Sequence, residues 1–220
     1  PPMRVRPLNT LRYQYIFAAV AMIMMGGIGC TPQYGAVLPT EEWPKTTIRT
    51  LALFAVPPAE TEEESKNVLK SGQLAPEAMT HILTQVGKVL QEKGYPVQTA
   101  DFSTTVPKPV LAEWVIQTGS HMGTDAILLV IPLRYEERDG GPAGVRKPAS
   151  VAFELKIYRA LDGIFVWQGG YAETQRPLTE NLGTFSLFWK RGGRWLSADE
   201  LVYEGASELL KSFPRIASGP

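Results

Sequence analysis

The single cysteine is the residue whose type and position most clearly suggest chemistry. Cys30 ends an apolar run that begins at Ile16, three arginines precede the run, and the first acidic residue is Glu41. A basic start, an apolar centre and small residues near the end are the layout of an export signal. The run is shorter than the roughly 20 residues that a membrane-spanning helix needs. The pattern therefore predicts an export signal with a thiol at its end.

The other residues that could bind a metal, bind a phosphate or catalyse a reaction lack partner residues at a suitable spacing. His81 and His121 stand forty residues apart with no further cysteine near them, so no metal site is predicted. The glutamates of residues 60–64 favour a solvated loop. The glycines of residues 140–144 are not followed by Gly-Lys-Ser/Thr, and no Gly-x-Ser-x-Gly occurs. We therefore predict no enzyme activity, no metal and no cofactor.

Ile28-Gly29-Cys30 resembles the lipobox of bacterial lipoproteins, with Gly27 at the position usually held by a leucine-like residue. The resemblance implies cleavage of a signal peptide over residues 1–29 and acylation of the Cys30 thiol, for example with palmitate. Thr31 after the cysteine resembles the type sorted to the outer membrane, facing the periplasm. The alternative is an ordinary signal peptide or membrane anchor with an incidental cysteine.

The charge and the length of the chain limit its possible partners and its number of domains. The chain has 22 basic and 22 acidic residues, and removal of Arg4, Arg6 and Arg12 leaves 19 basic against 22 acidic. A slightly acidic mature chain gives no reason to expect a nucleic-acid partner. The 191 residues from Cys30 onward suffice for one domain with a sizeable core. We predict a tether over 30–46 and a single α/β domain over 47–214, in which 171–214 forms a helical extension.

The hydrophobic pattern predicts the elements of that domain. Two helices stand out, Pro76–Lys93 and Val110–Met122. The inner stripe predicted for the second helix consists of Leu111, Trp114, Val115, Thr118 and Met122. The predicted strands are Ile48–Val56, Tyr95–Ala100, Asp125–Leu133, Val151–Tyr158 and Ile164–Glu173. A mixed, largely antiparallel sheet with two helices packed on it follows from this order.

Aromatic residues gather in the extension. Phe185, Phe188, Trp189 and Trp195 surround a basic turn, and Ser197 with Glu200 forms a predicted capping box for the last helix. We interpret the four aromatics as a candidate surface for a partner protein. The alternative is that they add to the core beneath the last helix.

The order of elements also resembles a known family. A helix ending in Gly94-x-x-Val97, the segment from Gly123 to Leu128, and a hairpin with Asp162-Gly163-x-x-x-Trp167 are similar to bacterial lipoproteins with a TolB N-terminal-like domain. These include LpoB-type and curli-secretion-type lipoproteins. The resemblance covers about residues 48–170 and implies an α/β sandwich used as a docking module.

Together these features predict a lipid-anchored periplasmic interaction module. It would act without catalysis, as an accessory in envelope assembly, maintenance or secretion, and its partners would be the membrane and an envelope protein. The alternative hypothesis is a lipoprotein that binds a small molecule or glycan in a pocket of the α/β domain.

Overall fold

The computed structural model describes residues 33–34, 38–39, 48–56, 76–100, 106–142, 144–175 and 189–213. Its strands are β1 Gln33–Tyr34, β2 Leu38–Pro39, β3 Leu51–Ala55, β4 Val97–Thr99, β5 Ala126–Glu136, β6 Asp139–Gly141, β7 Gly144–Lys147, β8 Ser150–Arg159 and β9 Phe165–Thr174. Its helices are α1 Pro76–Glu92, α2 Ala112–Met122 and α3 Ala198–Leu209, and a 3-10 turn, Leu210–Ser212, follows α3. Cys30, Phe185 and Phe188 lie outside the described residues.

Seven strands form one sheet in the order β1-β9-β8-β5-β3-β4, with β2 also pairing with β9. β3 is parallel to both β4 and β5, whereas the pairings of β5 with β8, of β8 with β9 and of β9 with β1 and β2 are antiparallel. The parallel part arises because α1 and α2 each return the chain to the same end of the sheet. The predicted mixed, largely antiparallel sheet is therefore confirmed.

Helices cover both faces of the sheet. α1 and α3 pack side by side, and their buried side chains share one core with alternate residues of the strands, including Leu53, Leu128 and Phe153. On the opposite face, Val115 of α2 packs with residues such as Phe54 and Leu129. β3 and the first half of β5 read as continuous apolar runs because both of their faces are covered.

The last helix belongs to the main core. Val202, Ala206 and Leu209 of α3 are buried in the same cluster as Trp167 of β9. Strand β9 also continues to Thr174, into the range assigned from sequence to the helical extension. Between β5 and β8, the loop rich in glycine and proline folds into the small hairpin of β6 and β7.

The capping box at the start of α3 is present. Ser197 accepts a hydrogen bond from the Glu200 amide through its side chain, and Glu200 accepts one from the Ser197 amide. Replacing Ser197 with alanine leaves a helix amide without its partner, so we expect the free energy of unfolding to fall by about 1 kcal/mol. Urea-induced unfolding monitored by circular dichroism would measure this loss. Ser207→Ala, within the same helix, serves as the control and should change stability little.

Candidate contact surfaces

The predicted aromatic surface is described at Trp189 and Trp195. Trp189 is 67 % exposed, an unusual state for so large an apolar side chain. Trp195 is half-buried, its amide donates to the Pro142 carbonyl at 2.9 Å, and its carbonyl accepts from Arg138. We call residues 189–195 the Trp189 turn. Of the two tryptophans in this turn, Trp189 is the one presented to solvent.

A buried ionic network holds this turn on the sheet. The Arg191 guanidinium donates two hydrogen bonds to Glu173 of β9, at 2.6 and 2.9 Å, and two to Glu204 of α3, both at 3.0 Å. The side chains of Arg191 and Glu173 are only 10 % and 6 % exposed. Beneath them the Tyr171 hydroxyl donates to Glu173 at 2.6 Å. The turn is therefore a fixed part of the domain.

Burial and charge set the protonation of this network. Burial raises the pKa of Tyr171 well above its ordinary value, and the negative charge of Glu173 raises it further. Burial alone would lower the pKa of Arg191, but its hydrogen bonds to Glu173 and Glu204 outweigh burial, so the pKa rises above its ordinary value. Arg191 therefore keeps its proton and Tyr171 stays neutral. Neither group is suited to exchange a proton with a substrate.

A shallow groove of about 600 Å³ runs between α1 and α3 beside the turn. Its lining residues are Gln85, Lys88, Arg191, Arg194, Leu196, Asp199, Glu200, Tyr203, Glu204 and Ser207. The cations in the lining already have partners, since Arg194 pairs with Glu200 at 2.6 Å and Lys88 lies over the Tyr203 ring. Nine of the ten lining residues are polar or charged, whereas ligand pockets are usually lined mainly by hydrophobic and aromatic side chains. A bound small molecule or glycan stays a prediction.

His81 lies on the surface, as its position on the helix predicts. Its Nδ1 lies 3.2 Å from Asp199 of α3, and its ring stacks on Tyr135 of β5. The Tyr135 hydroxyl donates to the same carboxylate at 2.8 Å, and burial together with this bond raises the pKa of Tyr135. The three side chains join α1, β5 and α3. Among the described residues, no group of three or more metal-ligating side chains occurs.

The motif residues shared with the resembled family have structural roles. Asp125 Oδ2 accepts from the backbone amides of Arg49 and Thr50, at 2.9 and 3.1 Å, and so joins the starts of β3 and β5. Gly94, Gly123 and Gly163 adopt positive φ angles at turns. These positions therefore shape strand starts and turns of the fold.

A second exposed surface lies at the opposite end of β9, where sequence reasoning placed no site. It consists of four large apolar side chains, Leu111, Ile116, Leu161 and Ile164, which we call the hairpin patch. Among the described residues, these four and Trp189 are the large hydrophobic residues left exposed. The most exposed is Leu161, at 83 %. The patch thus concentrates exposed apolar area at one end of the domain.

The β8–β9 turn lies directly against α2 at this patch. A Cβ on Gly163 would lie 2.6 Å from the Ala112 Cα, and a Cβ on Gly119 would lie 2.3 Å from the Ala160 Cβ. Ala112, Ile116 and Gly119 share one helix face because they are spaced by four and three residues. Ile116 is therefore on the face of α2 that meets the turn. Close backbone approach therefore brings the exposed side chains of the turn and of α2 to the same end of the domain.

The position of Leu111 corrects the predicted inner stripe of α2. Leu111 precedes the helix with extended backbone angles, φ −93° and ψ 136°, and is 52 % exposed. The helical spacing used to place it inside does not apply before the first turn. Val115 of the same stripe is fully buried, as predicted.

The turn of the patch is fixed by an ion pair. The Arg159 guanidinium donates to both oxygens of Asp162, and the Ile164 amide donates to Asp162 at 3.2 Å. The hydrogen bonds from Arg159 are the main cause that lowers the pKa of Asp162 below 3.8, its ordinary value.

This lowered pKa predicts a pH dependence of stability. The carboxylate contributes stability at pH values above its ordinary pKa, and the contribution is lost as the pH falls through the lower folded value. We expect Asp162→Asn to reduce the free energy of unfolding at neutral pH by no more than about 1 kcal/mol, because the pair is partly solvated. The gap between the two proteins should narrow as the pH falls below about 3.8 and close once the pH is below the lowered pKa of Asp162 in the folded protein. Urea titrations at several pH values measure it, and a gap that widens in acid would contradict the assignment.

Comparison with known proteins gives distant neighbours. No protein-family model matches the chain, and no curated protein matches it. Among solved structures, the PelC dodecamer from Paraburkholderia phytofirmans is 12 % identical, with a TM-score of 0.44, over 86 % of this chain and 99 % of that one. Lipoprotein GNA1162 from Neisseria meningitidis is 13 % identical, with a TM-score of 0.39, over 66 % and 94 %.

A minor lipoprotein from Acinetobacter baumannii is 12 % identical, with a TM-score of 0.27, over 76 % of this chain and 92 % of that one. The neighbours thus include bacterial lipoproteins, the class predicted for this chain. The TolB-like family stays a prediction. Among the described residues, no helix is long and apolar enough to cross a membrane. Because the neighbours are so distant, we base the function of this chain on its own residues.

Proposed function

We propose that this protein is a lipid-anchored module of the bacterial envelope that acts by contact and performs no catalysis. Its lipid would be attached at Cys30, at the end of the apolar signal. Its partner would be an envelope protein that covers the hairpin patch. In this role the protein serves as an accessory in envelope assembly, maintenance or secretion.

The observation that carries the proposal is the concentration of exposed apolar side chains in the hairpin patch. Contiguous exposed apolar patches on soluble domains mark interaction sites. The patch is neutral at its turn, where Arg159 and Asp162 compensate each other. An apolar protein surface is the complementary partner, because it gains from burial of the four side chains without leaving a charge unpaired.

The rigidity of the hairpin patch also supports its proposed role as a docking surface. The contacts of Gly163 with Ala112 and of Gly119 with Ala160, together with the ion pair, leave little to be ordered on binding. A preorganised surface loses less conformational entropy when it binds. The outer-membrane location facing the periplasm is part of the proposal and rests on Cys30 and Thr31.

In-cell photocrosslinking tests the proposal. A crosslinking amino acid at Gln117, exposed on α2 beside Ile116, leaves the patch itself intact. We expect one envelope protein to be captured from this position, and we expect Leu161→Asp to abolish the adduct. Lys211→Asp, at an exposed site after α3, is the matched control and should preserve it.

Two further results complete the design. Cys30→Ala should weaken the adduct, because the chain then lacks its attachment to the membrane. Leu161→Asp should unfold at the same urea concentration as the parent, since Leu161 is almost fully exposed. An adduct that persists unchanged in Leu161→Asp would contradict the proposal that the hairpin patch is the docking surface.

A further inference from the structure

The pairing of the first two strands gives the domain a direction relative to the membrane. Gln33 pairs with Ala172, and Leu38 pairs with Gln168, so the chain runs antiparallel along the edge of β9. Followed back toward its start, the chain leads past Ala172 toward the end of β9 at Thr174. The segment predicted to be a tether therefore includes two short edge strands.

Chain length then limits how far the lipid-attachment residue lies from the sheet. Cys30 precedes Gln33 by three residues, and three residues span at most about 11 Å when fully extended. The covalent chain therefore limits the proposed attachment residue to about 11 Å from Gln33, which pairs with Ala172 of β9. This step rests on the proposed attachment of lipid at Cys30.

The Trp189 turn stands at that end. Glu173 follows Ala172 directly in β9 and binds Arg191 of the turn through two hydrogen bonds. Trp189 and Lys190 are both exposed beside this attachment point. The hairpin patch lies at the other end of β9, about 30 Å away at the usual rise per strand residue.

The side chains at the near end suit a lipid surface. Tryptophan is enriched at the headgroup level of membranes, where its ring is partly buried and its polar edge stays hydrated. Lysine extends its charge toward the headgroups while its methylenes lie deeper. The Gly192 amide donates to the Trp189 carbonyl at 3.0 Å, and the Arg191 network fixes the turn below. Trp189 is therefore held in place before any contact with lipid.

We propose that the domain rests directly on the membrane, with Trp189 and Lys190 in the lipid headgroup layer. Pairing of the first strands with β9 holds this end of the sheet close to the acylated residue. The hairpin patch then faces away from the lipid, toward the periplasm. Trp189, which the sequence assigned to a partner protein, acts here as a contact with the membrane.

Site-directed spin labelling of the lipidated full chain in vesicles tests this orientation. Cys30 is the single cysteine of the chain, so after its acylation an introduced cysteine is the sole free thiol. A nitroxide at Lys190→Cys reports the near end, and one at Leu161→Cys reports the far end. The vesicles contain phosphatidylethanolamine and phosphatidylglycerol. Collision with lipid-soluble oxygen and with a water-soluble nickel chelate gives the depth of each label.

We expect the ratio of oxygen to nickel accessibility to be several-fold higher for the label at 190 than for the label at 161. Equal ratios on vesicle-bound protein would overturn the orientation while leaving lipid attachment intact. In cells, a photocrosslinker at 190 that captures a protein and no lipid would also overturn it, in favour of a protein partner at this turn. Mass spectrometry of the N-terminal peptide separates these results from failure of Cys30 to acquire lipid, which would remove the basis of both proposals.

Discussion

Replacing Arg191 with alanine should lower the free energy of unfolding by about 3 to 5 kcal/mol. Arg191 is the cation that compensates Glu173, and both side chains are nearly inaccessible to water. Without the guanidinium, the Glu173 carboxylate stays buried beside the Tyr171 hydroxyl, which donates a hydrogen bond to it but brings no positive charge. Breaking a buried pair from one side is costly because a charge is left without compensation.

Arg194→Ala is the matched control for this experiment. Arg194 belongs to the same turn and also pairs with a glutamate, but its side chain is 47 % exposed. Its loss should cost less than about 1 kcal/mol. Urea-induced unfolding of both variants, in a Cys30→Ala background that carries no lipid, measures the two values. Equal losses for Arg191→Ala and Arg194→Ala would contradict the role assigned to the buried network.

A double variant separates charge burial from simple loss of packing. Arg191→Met with Glu173→Gln removes both charges and keeps most of the volume. We expect it to be more stable than Arg191→Ala, because no carboxylate is then buried without a cation. If the double variant is no more stable, lost side-chain packing accounts for the effect.

Replacing Gly205 with alanine should destabilise the domain by about 2 to 3 kcal/mol. A Cβ at this position of α3 would lie 2.4 to 2.6 Å from three ring atoms of Tyr171. Tyr171 is buried and held by its hydrogen bond to Glu173, so neither the ring nor the helix can move without loss elsewhere. Thermal unfolding monitored by circular dichroism measures the effect.

Gly87→Ala provides a control of opposite sign. Gly87 is a buried glycine of α1, and a Cβ there would meet Leu53 at 3.5 Å, an ordinary contact distance. Since alanine is favoured over glycine inside a helix, we expect this change to stabilise the protein by up to about 1 kcal/mol. Destabilisation by both variants alike would show that close packing against Tyr171 is not the special feature of Gly205.

Several elements of this fold can be predicted from the spacing of apolar residues along the sequence. α1 follows apolar residues at spacings of three and four, and Pro76 and Gly94 mark its limits within two residues. β8 follows from the alternation of Val151, Phe153 and Leu155. These signals are local, so a single sequence carries them.

The edge strands and the ionic network are visible only in the fold. β1 and β2 contain two residues each, which is too few to show an alternation of apolar and polar residues. Their partner β9 is also far along the chain. The alternation of β9 does place Glu173 on the same face as Tyr171, which signals an inward carboxylate. Its partner Arg191 comes from a distant turn, and sequence spacing cannot identify it. Leu161 and Ile164 could have been noticed as large apolar residues flanking an Asp-Gly turn.

Strands β1 and β2, which follow the proposed lipid-attachment residue, occupy the outer edge of β9. An open strand edge offers unpaired amides and carbonyls to other chains and is a known starting point for aggregation. In this protein the short segment that follows Cys30, the proposed lipid-attachment residue, satisfies part of that edge. A protease that cut just before Ile48 would therefore do two things at once. It would separate the domain from the proposed lipid-attachment residue, and it would uncover the edge of β9 for strand addition.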